Sequence, residues 1–136
     1  GETAFKALLG KPFELGDGGS RQVGREVSPF GMALGVTYPA ADADVLIERS
    51  IKAGQSWAHA SIEDRVGVCL EMVKRLNAQS FLIANAAMHT TGQAFMMAFQ
   101  AAGPHAQDRA LEAIAYAYDE MTRVPRTAHW VKPQGK

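Results

Sequence analysis

The stretch Ala78–Ala117, AQSFLIANAAMHTTGQAFMMAFQAAGPHAQDRALEAIAYA, decides how this chain folds. Thirteen of its 40 residues are Ala and four are β-branched. Ala loses no side-chain entropy in a helix, so this composition predicts helix throughout. Gly92 punctuates the stretch, and Gly103-Pro104 interrupts it more firmly. The reading is three helices, at about 79–91, 93–102 and 104–123, with Pro104 suited to a first helical turn.

Upstream the helical reading continues back to residue 41. Asp42 or Asp44 can cap a first helix with apolar positions Ile47, Ile51 and Trp57/Ala58. Ser61 starts a second, with Asp64 three residues on as its capping partner. Ile62, Val66, Cys69, Leu70, Val73 and Leu76 place one apolar face along it. Trp57, where the first helix gives way to the second, is expected to be buried and to pin the two. The last helix presents Leu111, Ile114, Ala115, Tyr118 and Met121. Residues 1–39 differ sharply, carrying eight of the 13 glycines and three of the six prolines. Glu2–Leu9 predicts a short helix stopped by Gly10 and Pro12. Arg21–Val27 and Ala33–Tyr38, joined by the turn residues Ser28-Pro29-Phe30-Gly31, predict a β-hairpin. The expected fold is mainly α: about five helices after an irregular or hairpin-like start. The expected organisation is a hairpin-like segment at 1–39, a helical segment at 40–124, and a basic, proline-broken tail at 125–136.

Composition narrows the function. The chain of 136 residues has 14 Lys+Arg and 14 Asp+Glu. A balanced charge argues against nucleic acid or an anionic membrane surface as partner. No apolar run approaches the roughly 20 residues of a membrane-spanning helix. No basic-then-apolar leader opens the sequence, and the first residue is Gly1 rather than Met, as in a piece of a longer protein. A single cysteine, Cys69, leaves no internal disulfide framework and fits a reducing cytoplasm. Of the 64 apolar residues 23 are Ala, so the core is expected to be thin.

The chemistry-bearing residues form no catalytic, cofactor-binding or metal set. Cys69 lies in mid-helix on an apolar stripe, where a thiol packs rather than reacts. His59, His89, His105 and His129 lack metal-ligand spacing, and His89 stands at a helix end, where an imidazolium is favourable. Gly16-Asp17-Gly18-Gly19-Ser20 has neither P-loop nor dinucleotide spacing and reads as a linker. Glu71 and Arg75 form an i,i+4 surface pair. Phe95, Met96, Met97 and Phe99 cannot share one helical face. They are either buried on more than one side or apposed to another domain or chain.

The run Trp57…Arg65…Leu70…Leu76…Phe81-Leu82-Ile83…Thr91-Gly92-Gln93…Tyr116-Ala117-Tyr118 resembles the amino-terminal helices of the aldehyde dehydrogenase superfamily, with Gln93 where that pattern has Lys. Glu26-Val27-Ser28-Pro29-Phe30-Gly31, Leu34–Pro39, Met88–Gln100, Gly103–Arg109 and Lys132–Lys136 are more closely similar to PaaN-type phenylacetic acid degradation proteins. So is Leu8–Leu15, and the resemblance covers essentially the whole chain. It implies an amino-terminal fragment of a larger α/β dehydrogenase. In that enzyme a cysteine thiolate attacks an aldehyde, hydride passes to NAD or NADP, and water releases the acid. The substrate it implies is a CoA-linked semialdehyde of phenylacetate breakdown. It places the nucleotide-binding strands and the catalytic cysteine and glutamate beyond Lys136. No catalytic or cofactor residue carries over to this chain, and its own part is architectural. A non-catalytic helical interaction module is the alternative, as is a superfamily member that binds without turnover. Self-association, and contact with the missing cofactor domain, are the expected partnerships.

Overall fold

The computed structural model describes residues 1–15 and 21–135. Helix α1 (Glu2–Lys6) is followed by the two-residue strands β1 (Gln22–Val23) and β2 (Tyr38–Pro39). Five helices then follow: α2 (Ala43–His59), α3 (Ile62–Ala78), α4 (Ser80–Thr91), α5 (Phe95–Gln100) and α6 (Ala106–Thr122). The chain is thus mainly α after a short hairpin, as its composition requires.

The hairpin is antiparallel, with Gln22 opposite Pro39 and Val23 opposite Tyr38. A further bridge pairs Val27 with Ala33, and the Gly31 N–H donates to the Ser28 carbonyl at 2.8 Å, closing the turn. Gly24 holds φ +129°, and a Cβ there would stand 2.5 Å from the Val36 carbonyl oxygen, so only glycine lets the two arms approach. Helix α1 is shorter than the expected 2–9, because residues 7–10 tighten into turns before Gly10. The Gly10 N–H then donates to the Leu34 carbonyl and the Phe13 N–H to that of Thr37, fastening the start of the chain along the segment that leads into β2.

Two helix starts follow their sequence signals. Asp42 accepts from the N–H groups of Asp44 (2.8 Å) and Val45 (3.4 Å). Ser61 accepts from the Asp64 N–H at 3.0 Å, and its hydroxyl donates to the Asp64 carboxylate. Helix α4 ends at Gly92, φ +75°, whose N–H donates to the Met88 carbonyl.

Gly103-Pro104 corrects the expected helix boundary. The backbone runs on from α5 through a π-turn, Ala101–His105, into α6. Proline supplies no N–H and its ring crowds the carbonyl four residues back, and the wider π-turn accommodates both without breaking the rod.

Burial is concentrated around α4. Phe5, Leu34 and Val36 form the buried cluster, with Leu9, Tyr38, Leu82 and Ala86 packed against it. On the other side α4 packs on α5, and Ala84 and Ala98 both have 0% exposure. Helix α3 packs on α6. Its expected apolar face is only partly covered: Val73 is buried, Ile62, Val66 and Cys69 are half-buried, and Leu70 and Leu76 are exposed. Every residue of α2 is exposed.

Gly92→Ala should destabilise the fold by about 1–2 kcal/mol. The new Cβ would carry a left-handed φ and meet the Pro29 ring at 3.2–3.3 Å. Urea unfolding followed by circular dichroism measures it, and an unchanged midpoint would contradict the left-handed cap.

Candidate functional site

His89, in the last turn of α4, faces back toward the hairpin. Its Nδ1 is 3.0 Å from the Ser28 hydroxyl, a residue 61 positions away. Ser28 is only 2% exposed, and its Oγ also accepts from the Phe30 N–H at 3.2 Å. The imidazole stacks on Phe5, nearly parallel at 4.9 Å, and meets Phe30 edge-on at 5.8 Å. A serine beside a histidine invites comparison with a nucleophile and its base. A nucleophile must reach a substrate, however, and this one is sealed inside the turn. The pair joins hairpin to helix.

Beside it opens a cleft of ≈ 540 Å³, walled by Phe5, Phe81, Phe95, Met88 and the half-buried His89. The Glu2–Lys6 ion pair stands at its rim. Lys6, by hydrogen bond and charge, holds the Glu2 carboxyl below its ordinary range, and Arg75 does the same for Glu71. These carboxylates are fully solvated, so their contribution is slight; it is present at neutral pH and fades as pH falls through the carboxylate range.

The second concavity is a groove of ≈ 350 Å³ between α3 and α6, lined by Val66, Cys69, Ile114, Tyr118 and Met121, with Trp57 and Arg65 at one end. Arg65 fastens the α2–α3 corner. One of its terminal nitrogens donates to the Ala58 carbonyl at 2.9 Å, and its guanidinium carbon lies 5.8 Å from the Trp57 ring centroid. Its Nε is buried with no hydrogen-bond partner. Trp57 does bridge the two helices, through its contact with Arg65, but at 44% exposure it is not the buried pin expected.

The remaining candidates stand apart. Cys69 is half-buried in the groove wall. The His59 Nδ1 is 2.8 Å from the Gln55 carbonyl within its own helix. Among the described residues no group of three His, Cys, Asp or Glu could hold a metal ion, and no helix is long and apolar enough to cross a membrane. The linker reading of Gly16–Ser20 lies outside the described residues. The Phe95–Phe99 cluster divides. Phe95 and Phe99 stack with each other, and Phe99 stacks on Phe81, while Met96 and Met97 are exposed. Ser80 was not singled out by sequence. Its hydroxyl donates to the Asn77 carbonyl and accepts from the Gln107 amide at 2.8 Å, tying α6 to the α3–α4 corner. Nothing local marks a pair 27 residues apart.

Among the described residues, the two-stranded sheet, the sealed serine and the half-buried thiol beside these helices do not come together as one site. The chain matches, over 99% of its length, part of a solved structure titled as an NAD-dependent aldehyde dehydrogenase from Burkholderia multivorans, with 56% sequence identity and a TM-score of 0.92. It spans 24% of that chain's length. The likeness supports the aldehyde dehydrogenase superfamily. No protein-family model and no curated protein matches the sequence.

Two substitutions check this geometry. Ser28→Ala should cost about 1–2 kcal/mol, because it strands the Phe30 N–H and the His89 ring in a closed turn. Trp57→Ala should fall well below the ~3–5 kcal/mol of a buried tryptophan. Denaturant titration of both variants, read by far-ultraviolet circular dichroism, tests that order.

Proposed function

We propose that this chain is the amino-terminal helical part of an NAD(P)-dependent aldehyde dehydrogenase-like enzyme, and that its own role is architectural. The observation that carries the reading is the 56% identity over 99% of the chain with part of a dehydrogenase of much greater length. Thin burial agrees with it. The described hydrophobic core consists of Phe5, Leu34, Val36, Val73, Ala84 and Ala98, while Leu70 and Leu76 of α3 and, in the α3–α6 groove, Tyr118 and Met121 stay exposed. Apolar surface on that scale is covered when a domain is complete. The rest of the parent protein, its cofactor domain included, is the proposed cover for that groove.

The described residues do not fit a nicotinamide dinucleotide. Such a cofactor binds at the carboxyl ends of parallel strands beside a helix N-terminus, and here the described sheet is one short antiparallel pair. Cys69 is half-buried in a mainly apolar groove wall, and no described histidine, aspartate or glutamate lines that groove to act as its base. No hydride-transfer step is therefore assigned to this chain.

The finer assignment is breakdown of phenylacetate in the cytoplasm, with a CoA-linked semialdehyde as substrate. It draws on the Met88–Gln100 run and its flanking motifs. The organisation that goes with it is a hairpin-like segment, a helical segment from 40 to 124, and a basic tail leading to the cofactor core. The exposed Met96 and Met97 favour one other reading, a non-catalytic interaction module.

The test is to express the longer protein that contains this sequence and follow NAD and NADP reduction with a panel of aldehydes, phenylacetate-derived semialdehydes included. Turnover should be present there, absent from the 136-residue chain, and unchanged by Cys69→Ser. A longer protein without dehydrogenase activity, or turnover lost on Cys69→Ser, would overturn the reading.

A further inference from the structure

The cleft between α1 and α4 holds two polar groups that the fold itself leaves unused. Phe81, Asn85 and His89 stand four apart on α4, so they share one face of it, and all three line the cleft. Asn85 is only 5% exposed, and its Nδ2 donates to the Phe81 carbonyl at 2.7 Å. A carbonyl can only accept, so this bond fixes the amide and turns Oδ1 the other way. Among the described residues nothing donates to that oxygen. The His89 ring is fixed as closely. Ser28 is closed off from water and its Oγ already accepts from the Phe30 N–H, so its own proton goes to His89 Nδ1. The neutral ring then carries its proton on Nε2, a donor with no partner among the described residues. An unused acceptor and an unused donor therefore lie one helical turn apart, with roughly 5–6 Å between their Cβ atoms. Phe81 and Phe95 offer ring surface beside them, and at the rim Lys6 and Glu2 neutralise each other at 2.6 Å.

We propose that this cleft is a binding site for an uncharged hydroxylated aromatic ring of the phenol class. A phenolic hydroxyl is donor and acceptor on one atom. It donates to Asn85 Oδ1 and accepts from His89 Nε2–H, while its ring lies against Phe81 and Phe95. The same polar pair disfavours other classes of ligand. A carboxylate would set its oxygens against the Asn85 oxygen with no proton between them. An alkylated oxygen keeps the ring but has no proton to give, and a plain arene leaves both groups unpaired, which is costly for a buried amide. The cleft, at ≈ 540 Å³, is within the ~300–1,000 Å³ of small-molecule sites. Such a site goes beyond an architectural role and is independent of the dehydrogenase reading.

Titration of the 136-residue chain with phenol, followed by nuclear magnetic resonance shifts, provides the test. Phenol should saturate with a dissociation constant of about 1–10 mM, and the Asn85 side-chain amide and His89 ring signals should move most. Anisole, which cannot donate, and benzoate, which is charged, should each bind at least about tenfold more weakly. Asn85→Leu keeps the bulk of the side chain and removes its oxygen. It should weaken phenol to the level of anisole, leave anisole unchanged, and preserve the circular dichroism spectrum. If that variant unfolds, the comparison of phenol with anisole on the unaltered chain decides the matter. Absence of saturation, equal binding of phenol and anisole, tighter binding of benzoate than of phenol, or shifts confined to the α3–α6 groove would each overturn the proposal. So would a folded Asn85→Leu variant that still prefers phenol to anisole.

Discussion

Helix α4 can hold neighbours on two sides only because the residues facing them are small. Ala84 and Ala98 are fully buried across the α4–α5 contact, and Ala86 lies against the Phe5–Leu34–Val36 cluster. Alanine keeps helix axes close and loses no rotamer freedom on burial, but each methyl removes little apolar surface from water. The same constraint that permits close packing thus leaves a small core. The gap is partly made up by specific polar ties at the ends of α4: Ser28 to His89 at one end, Ser80 to Gln107 at the other. Both ties involve a buried serine, where an unmade bond costs more than a made one contributes.

Away from α4 the chain is organised around what it does not bury. Helices α3 and α6 pack on each other yet leave a groove between them, and α2 is held chiefly at its end, through Trp57 and Arg65. The tail after α6 is exposed throughout its described residues, with Trp130 at 80%. The chain matches about a quarter of a larger dehydrogenase chain at a TM-score of 0.92, and part of its apolar surface stays exposed. The two uncovered surfaces differ in kind. The groove is walled largely by apolar side chains with Arg65 at one end, whereas α2 is exposed along its whole length.

The features legible in the sequence were those whose signals act within a turn or two of chain. The caps at Asp42 and Ser61, the stop at Gly92 and the turn at Ser28–Gly31 each place a donor next to its acceptor, or a glycine where φ must be positive. The alanine-rich stretch could only be helix, and the resemblance of its motifs to a dehydrogenase was readable because whole runs of residues match. The Gly103-Pro104 boundary was misread because local chemistry there permits either a break or a π-turn. In the structure the π-turn packs on α4, with the buried Gly103 beside Ser80.

The sequence by itself determined most of the helices, their caps and the family likeness, because those depend on residue type and on spacings of two to four, while the π-turn at Gly103-Pro104 and the short α1 did not follow from it. Only the tertiary structure decided which side of each element is covered. Periodicity marks Ile62, Val66, Leu70 and Leu76 as one stripe, but whether a stripe is buried depends on what stands opposite. Here α6 covers only part of it. The same holds for the aromatic cluster, where Phe95 and Phe99, four apart and so on one face of α5, stack inward, and Met96 and Met97 on its other faces stay exposed. It holds for His89, whose serine partner lies 61 residues away and could be chosen only when the hairpin folded back onto α4.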